Sequence, residues 1–173
     1  MIGDTKYWRK MTFMTVDPSI NNLGCAVYRE NQLVHHVLLK PDRDAKESGE
    51  HEQKTLSMIR QLRKIAETYE AAQIMLEIPE YWAVGGYAAR ESGSIPKMMF
   101  LCGGIYTYFH LRKIPVQTAT PRQWKGQLPK DVVRNRMERE MVPRYFTTQE
   151  WARIDHNIMD AICIGHFWIF GKV

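Results

Sequence analysis

The chain has 173 residues, of which 45% are hydrophobic and 25% charged, and a formal net charge of +5. That balance is ordinary for a soluble globular protein, and the length suits a single domain over residues 1–173 with a real core. No run of about 18 apolar residues exists, which excludes a membrane span, and Met1–Lys6 lacks the apolar centre of a signal peptide, so a cytoplasmic protein is expected. The positive charge is compatible with a polyanionic partner but is weak evidence alone. Cys25, Cys102 and Cys163 are scattered in apolar runs, as expected of buried thiols in a reducing compartment rather than of disulfides or zinc ligands.

Residues 1–9 read as a loose lead-in. Met11–Val16 is apolar and β-branched and ends in Asp17-Pro18-Ser19, the pattern of a buried strand that stops at a carboxylate and a turn. Gly24–Arg29 and Gln32–Leu39 follow as second and third strands, and their short connections favour an antiparallel meander. Lys40–Gly49 is polar and is expected to be a mobile loop. From about Glu50 the period becomes helical, with Leu56, Ile59, Leu62, Ala66 and Tyr69 on one face. Gln73–Glu77 reads as a fourth strand, followed by a glycine-flanked segment through Gly93.

Met98, Leu101, Cys102, Ile105 and Phe109 mark a further helix, and Ile114–Thr118 a fifth strand. Thr120-Pro121-Arg122-Gln123 and Thr147-Thr148-Gln149-Glu150 carry helix-start chemistry, and Pro129 opens a basic helix. A final helix runs from His156 to Phe170. No repeats or low-complexity tracts interrupt this order. It implies an α/β fold in which three antiparallel strands are joined through helical crossovers to two parallel ones.

Three carboxylates stand inside apolar runs: Asp17, Glu77 in Ile74–Glu77, and Asp160 in Ile158–Ile162. Buried acids are costly unless paired, hydrogen-bonded or bound to metal. Taken singly, Asp17 suits a turn or cap, and Glu77 suits an ion pair with Arg122 or Lys125. Asp160, apolar on every side, is harder to explain in this way. Taken together the three fit a site for hard divalent cations, of the kind in which two ions activate water and stabilise the leaving oxygen of a phosphodiester. On the last helix His156 and Asn157 fall four and three residues before Asp160, on its face, and Asp155 reaches in if the helix starts with a loose turn.

Asp17-Pro18-Ser19 with Gly24, Leu76-Glu77, and Asp160-Ala161-Ile162 in a late apolar helix resemble RuvC-type Holliday junction resolvases of the RNase H-like superfamily, over about residues 12–170. The resemblance implies a five-stranded mixed sheet flanked by helices. It also implies a homodimeric endonuclease that cuts four-way DNA junctions with symmetric nicks, using two Mg²⁺ or Mn²⁺ ions per site. Asp17, Glu77 and Asp160 become metal ligands, and Lys125 and Lys130 take the positions of catalytic and DNA-contacting lysines. The helix around Met98–Leu111 corresponds to the dimerisation region. The family's fourth ligand falls on Asn157, which is uncharged, so Asp155, His156 and Asn157 all stand as candidates. The span from Lys125 to Lys130 is shorter than in the family. Small size and compact loops suit a phage or prophage version acting in a bacterial cell.

Ten Lys and Arg residues between Lys97 and Arg144, among them Arg122, Lys125, Lys130 and Arg134, suit a DNA backbone, although Glu138 and Glu140 dilute the charge. Tyr81 and Trp82 could stack on bases at a junction centre or pack in the core. Trp124 reads as an anchor for the loop carrying Lys125. Competing functions are another RNase H-like nuclease, cutting RNA–DNA hybrid or acting in terminase fashion, and a non-catalytic nucleic-acid-binding module.

Overall fold

The structure, a computed structural model, describes residues 11–80 and 94–171. Five strands, β1 (Thr12–Asp17), β2 (Leu23–Arg29), β3 (Gln32–Leu39), β4 (Gln73–Glu77) and β5 (Val116–Ala119), form one sheet in the order β3-β2-β1-β4-β5. β1 pairs antiparallel with β2 and β2 with β3, whereas β4 runs parallel to both β1 and β5. The helices are α1 (Arg43–Ser48), α2 (His51–Tyr69), α3 (Ser94–Leu111), α4 (Pro121–Lys125), α5 (Lys130–Met141), α6 (Thr148–Arg153) and α7 (His156–Phe170). Three antiparallel and two parallel strands flanked by helices are what the pattern of runs and periods implies. Among the described residues no helix is long and apolar enough to cross a membrane.

Alternation along β1 assigns the two faces of the sheet. Met14 and Val16 enter a core shared with Met58 and Leu62 of α2 and with Leu101 and Ile105 of α3. Phe13 points to the opposite face and joins Tyr28 of β2 and Met75 of β4, together with Val133 and Met137 of α5, Trp151 of α6 and Ile162 of α7. Buried on both faces, β1 and β4 are the central strands, as their continuous apolar runs suggest. Cys25, Cys102 and Cys163 are buried free thiols.

Some local expectations need correction. Lys40–Gly49 is not simply a loop: it contains α1, whose Asp42 N-cap accepts the Ala45 N–H at 3.0 Å and a bond from the Ser57 hydroxyl at 2.8 Å. A Pro-Asp pair before good helix formers is a helix start, and a single turn and a half needs only that cap and a docking partner on α2. On α2 the inward face is Thr55, Met58, Ile59, Leu62 and Ala66, while Leu56 points out at 52% exposure. α3 begins at Ser94 rather than near Met98, and β5 starts two residues later than expected, at Val116. The lead-in at residues 1–9 and the candidate base-stacking residues Tyr81 and Trp82 lie outside the described residues.

Candidate active site

β1 presents Phe13, Thr15 and Asp17 to the side covered by α7, because alternate side chains share a face. β4 does the same with Met75 and Glu77. The parallel register sets Val16 beside Leu76, so Asp17 and Glu77, one residue further on, end neighbouring strands on the same face of the sheet. Asp17 is 7% exposed and Glu77 is partly buried.

Asp160 arrives from the far end of the chain on α7, and three contacts seat that helix. The Thr15 hydroxyl donates to the Ala161 carbonyl at 2.7 Å, and the Tyr28 hydroxyl donates to the Ile162 carbonyl at 2.8 Å. At Gly24 the helix backbone comes so close that an added Cβ would lie 1.9 Å from the Asn157 carbonyl oxygen. Asp160 therefore stands one residue before two carbonyls tied to the sheet, buried at 7% exposure. Asp155 serves as the N-cap of α7, its Oδ1 accepting the Asn157 N–H at 2.8 Å. Asn157 is buried on the face shared with Asp160, whereas the His156 side chain is exposed.

Burial pushes the Asp17 carboxyl well above the ordinary carboxylate range; the charges of Glu77 and Asp160 push the same way, while Lys125 and Lys130 oppose them. Burial also raises Glu77 to about 7, against the pull of a hydrogen bond from Trp124 and the charge of Lys125. Asp160 is raised by burial and held down in part by Lys125, Lys130 and His156. Among the described residues no ion pair reaches any of the three. The ion pair considered for Glu77 is replaced by a neutral donor: the Trp124 indole Nε1 donates to Glu77 Oε2 at 2.5 Å. The three acids thus feel one another's charge, yet among the described residues no three His, Cys, Asp or Glu side chains are gathered into a ready-made ion cage.

Lys125 ends α4 with its ammonium 4.8 Å from the Trp124 ring centroid, and Lys130 opens α5. Both are close enough to bear on all three carboxylates. Arg122 is exposed on α4. Arg134 is engaged elsewhere, donating to the carbonyls of Trp151 and Ala152 at 2.7 and 3.0 Å, near the C-terminal end of α6.

Sequence reasoning left three supporting residues without their roles. Thr15 carried a period-2 signal, two residues before Asp17, and Gly24 belonged to the quoted motif. For the bond from Trp124 to Glu77, 47 residues apart, no local signal existed.

No family model matches the chain, and no curated protein matches it in sequence. Solved structures do. Thermus thermophilus RuvC in complex with a Holliday junction substrate superposes with a TM-score of 0.63 at 15% identity, over 91% of this chain and 93% of that one. Another Thermus thermophilus RuvC structure gives 0.62 at 17% identity, over 91% and 94%. The yeast mitochondrial Holliday junction resolvase Ydc2 gives 0.58 at 15% identity, over 94% and 79%. The chain therefore has an RNase H-like fold. Within that class its sheet and helices follow RuvC along nearly the full length of both chains.

Proposed function

We propose that the chain, read as one nuclease domain, is a structure-selective DNA endonuclease that resolves four-way junctions by divalent-metal-dependent phosphodiester hydrolysis. The observation that carries this reading is the convergence of two buried carboxylates, Asp17 and Asp160, and the partly buried Glu77, without ion pairs among the described residues, on a fold shared with junction resolvases. The donor set is all oxygen and, among the described residues, no ion pair takes up its charge, which suits a hard cation such as Mg²⁺ or Mn²⁺ and not a soft one. Asp17, Glu77 and Asp160 are the proposed ligands, with the side-chain amide oxygen of Asn157 as the fourth. Asp155, already committed to capping α7, serves better to orient that turn. When bound, the two ions supply Lewis-acid polarisation of the phosphate and a water that is nucleophilic near neutral pH.

The protein's own part is to hold charge in place. Lys125 sets a positive charge beside the carboxylates, where negative charge develops as the phosphodiester breaks. Lys130 and Arg122 bind flanking phosphates and fix the register of the strand. A homodimer through α3 presents two such sites to opposed strands. Met99, Phe100 and Tyr106 support it, since they leave apolar surface facing outward at 47, 53 and 43% exposure.

The test is cleavage of a labelled four-way junction, a linear duplex and an RNA–DNA hybrid, in Mg²⁺ and in EDTA. Paired nicks confined to the junction and abolished by EDTA are expected. Hybrid cutting would move the chain elsewhere in the superfamily. The uncharged Asn157 at the fourth ligand position favours one other reading, a non-catalytic DNA-binding module. Binding of the junction without cutting in Mg²⁺ or Mn²⁺ is its signature.

A further inference from the structure

The β4–β5 ladder pairs Glu77 with Ala119, and the Ile78 N–H donates to the Ala119 carbonyl at 2.9 Å. The next residue, Thr120, starts α4, where the Gln123 side chain accepts the Thr120 N–H at 2.7 Å and Pro121 takes the first helical position. Four residues after Thr120 comes Trp124, 3% exposed and packed with Val133 and Met137 of α5. A short, well-capped helix thus carries a large rigid side chain from the strand beside Glu77 back onto its carboxylate, at 2.5 Å from Nε1 to Oε2.

We propose that Trp124 is a positioning residue for Glu77: its indole N–H holds Oε2 and leaves Oε1 directed to a divalent cation. This rests on the metal-dependent reading above. An indole has a single N–H and no acceptor, so it can engage only one carboxylate oxygen and fixes which one. It is also neutral. An Arg or Lys in its place would spend the carboxylate's charge on an ion pair, whereas the indole orients Glu77 and leaves that charge for the cation. The same ring lies under the Lys125 ammonium, at 4.8 Å from the centroid. One buried side chain therefore ties the acid of β4 to the cation of α4, and the two cannot drift independently.

Partners that orient a metal ligand from behind typically govern metal affinity by about 10–100-fold. Two measurements without DNA or turnover test the assignment. In calorimetric titration with Mn²⁺, Trp124→Phe is expected to bind at least tenfold more weakly than the wild type, while its circular dichroism in EDTA stays native. Equal Mn²⁺ affinity in the two proteins would overturn the assignment and leave the metal site standing. A wild type that takes up no Mn²⁺ would overturn both. The second measurement needs no variant to remain folded. In ¹⁵N-labelled wild type the Trp124 indole N–H resonance, identified by its absence from Trp124→Phe or by through-space contacts to Glu77, is expected to stay downfield and protected at saturating Mg²⁺. If Mg²⁺ instead moves it to the position and exchange rate of a free indole, the bond is broken by the metal and Trp124 does not position the ligand.

Discussion

Replacing Gly24 with alanine tests how the last helix is seated. The added Cβ would meet the Asn157 carbonyl oxygen at 1.9 Å, its carbon at 2.3 Å and the Ile158 nitrogen at 2.9 Å, where ordinary contact begins at 3.4 Å. All three atoms are helix backbone, so no side-chain rotation relieves the clash, and the first turn of α7 has to retreat by about 1.5 Å. The retreat strains the Thr15–Ala161 and Tyr28–Ile162 hydrogen bonds just beyond Asp160. Overpacking costs about 1–3 kcal/mol and a weakened buried hydrogen bond about 1 kcal/mol. A loss of about 2–4 kcal/mol corresponds to a melting temperature lower by roughly 5–15 °C for a chain of this size. The assay is thermal denaturation in EDTA, paired with Mn²⁺ titration, since a displaced Asp160 also weakens metal binding. Gly103→Ala, where an added Cβ meets nothing within 4 Å, is the control. A Gly24→Ala protein that melts with the wild type and binds Mn²⁺ equally well would refute the close seating of α7.

The remaining expectations concern charge. Glu77 has a folded pKa of about 7 against 4.5 unfolded, so between those values the native state holds the extra proton. Stability from this group is present below about 4.5 and lost as pH rises through 7, by roughly 3 kcal/mol at most. In EDTA the melting temperature of the wild type relative to Glu77→Gln should therefore fall between pH 5 and 7.5; a flat difference contradicts the burial argument. The comparison with Glu77→Gln is needed because His35 and His36, lowered by burial, titrate in the opposite sense. Asp160→Asn should cut junctions about 10²–10³-fold more slowly while binding them nearly as well, as judged by gel shift; loss of binding in a folded variant defeats that division of labour. Lys130→Ala should lower the salt slope of junction binding by about one, whereas Arg134→Ala should leave the slope alone and cost about 1–2 kcal/mol of stability through the orphaned carbonyls of Trp151 and Ala152. The reverse pattern would exchange the roles of the two residues.

What could be read from the residues was whatever rests on short-range regularity. The run into Asp17, the apolar fourth strand and the period of His156–Phe170 each announce an element, and the Thr147 and Glu150 side chains cap α6 as their spacing implies. The acids could be found because a carboxylate inside an apolar run is a local contradiction that some partner must resolve. The α1 helix was missed although its Asp42 cap was in view, because a polar decapeptide resembles a loop when its docking partner, Ser57, lies outside the window. Leu56 was turned inward because a period of 3.6 read from apolar residues alone cannot weigh Thr55, whose small side chain fits against Gly104 of α3. The hold of Trp124 on Glu77 depends on strand pairing, which no spacing rule contains.

The seat of α7 has a consequence for how the protein comes into being. The Thr15–Ala161 hydrogen bond joins residues 146 positions apart, so Asp160 can meet Asp17 and Glu77 only after α7 has been made. Contacts that span such separations are slow to form, because the entropy of closing the intervening loop comes first. On the nuclease reading proposed above, a nascent chain therefore carries two acids and no complete set, and becomes able to cut only once α7 has closed over the sheet. On the same reading, intermediates that have built the core between β1, α2 and α3 but lack α7 are harmless to DNA, and the order of synthesis itself acts as a safety catch.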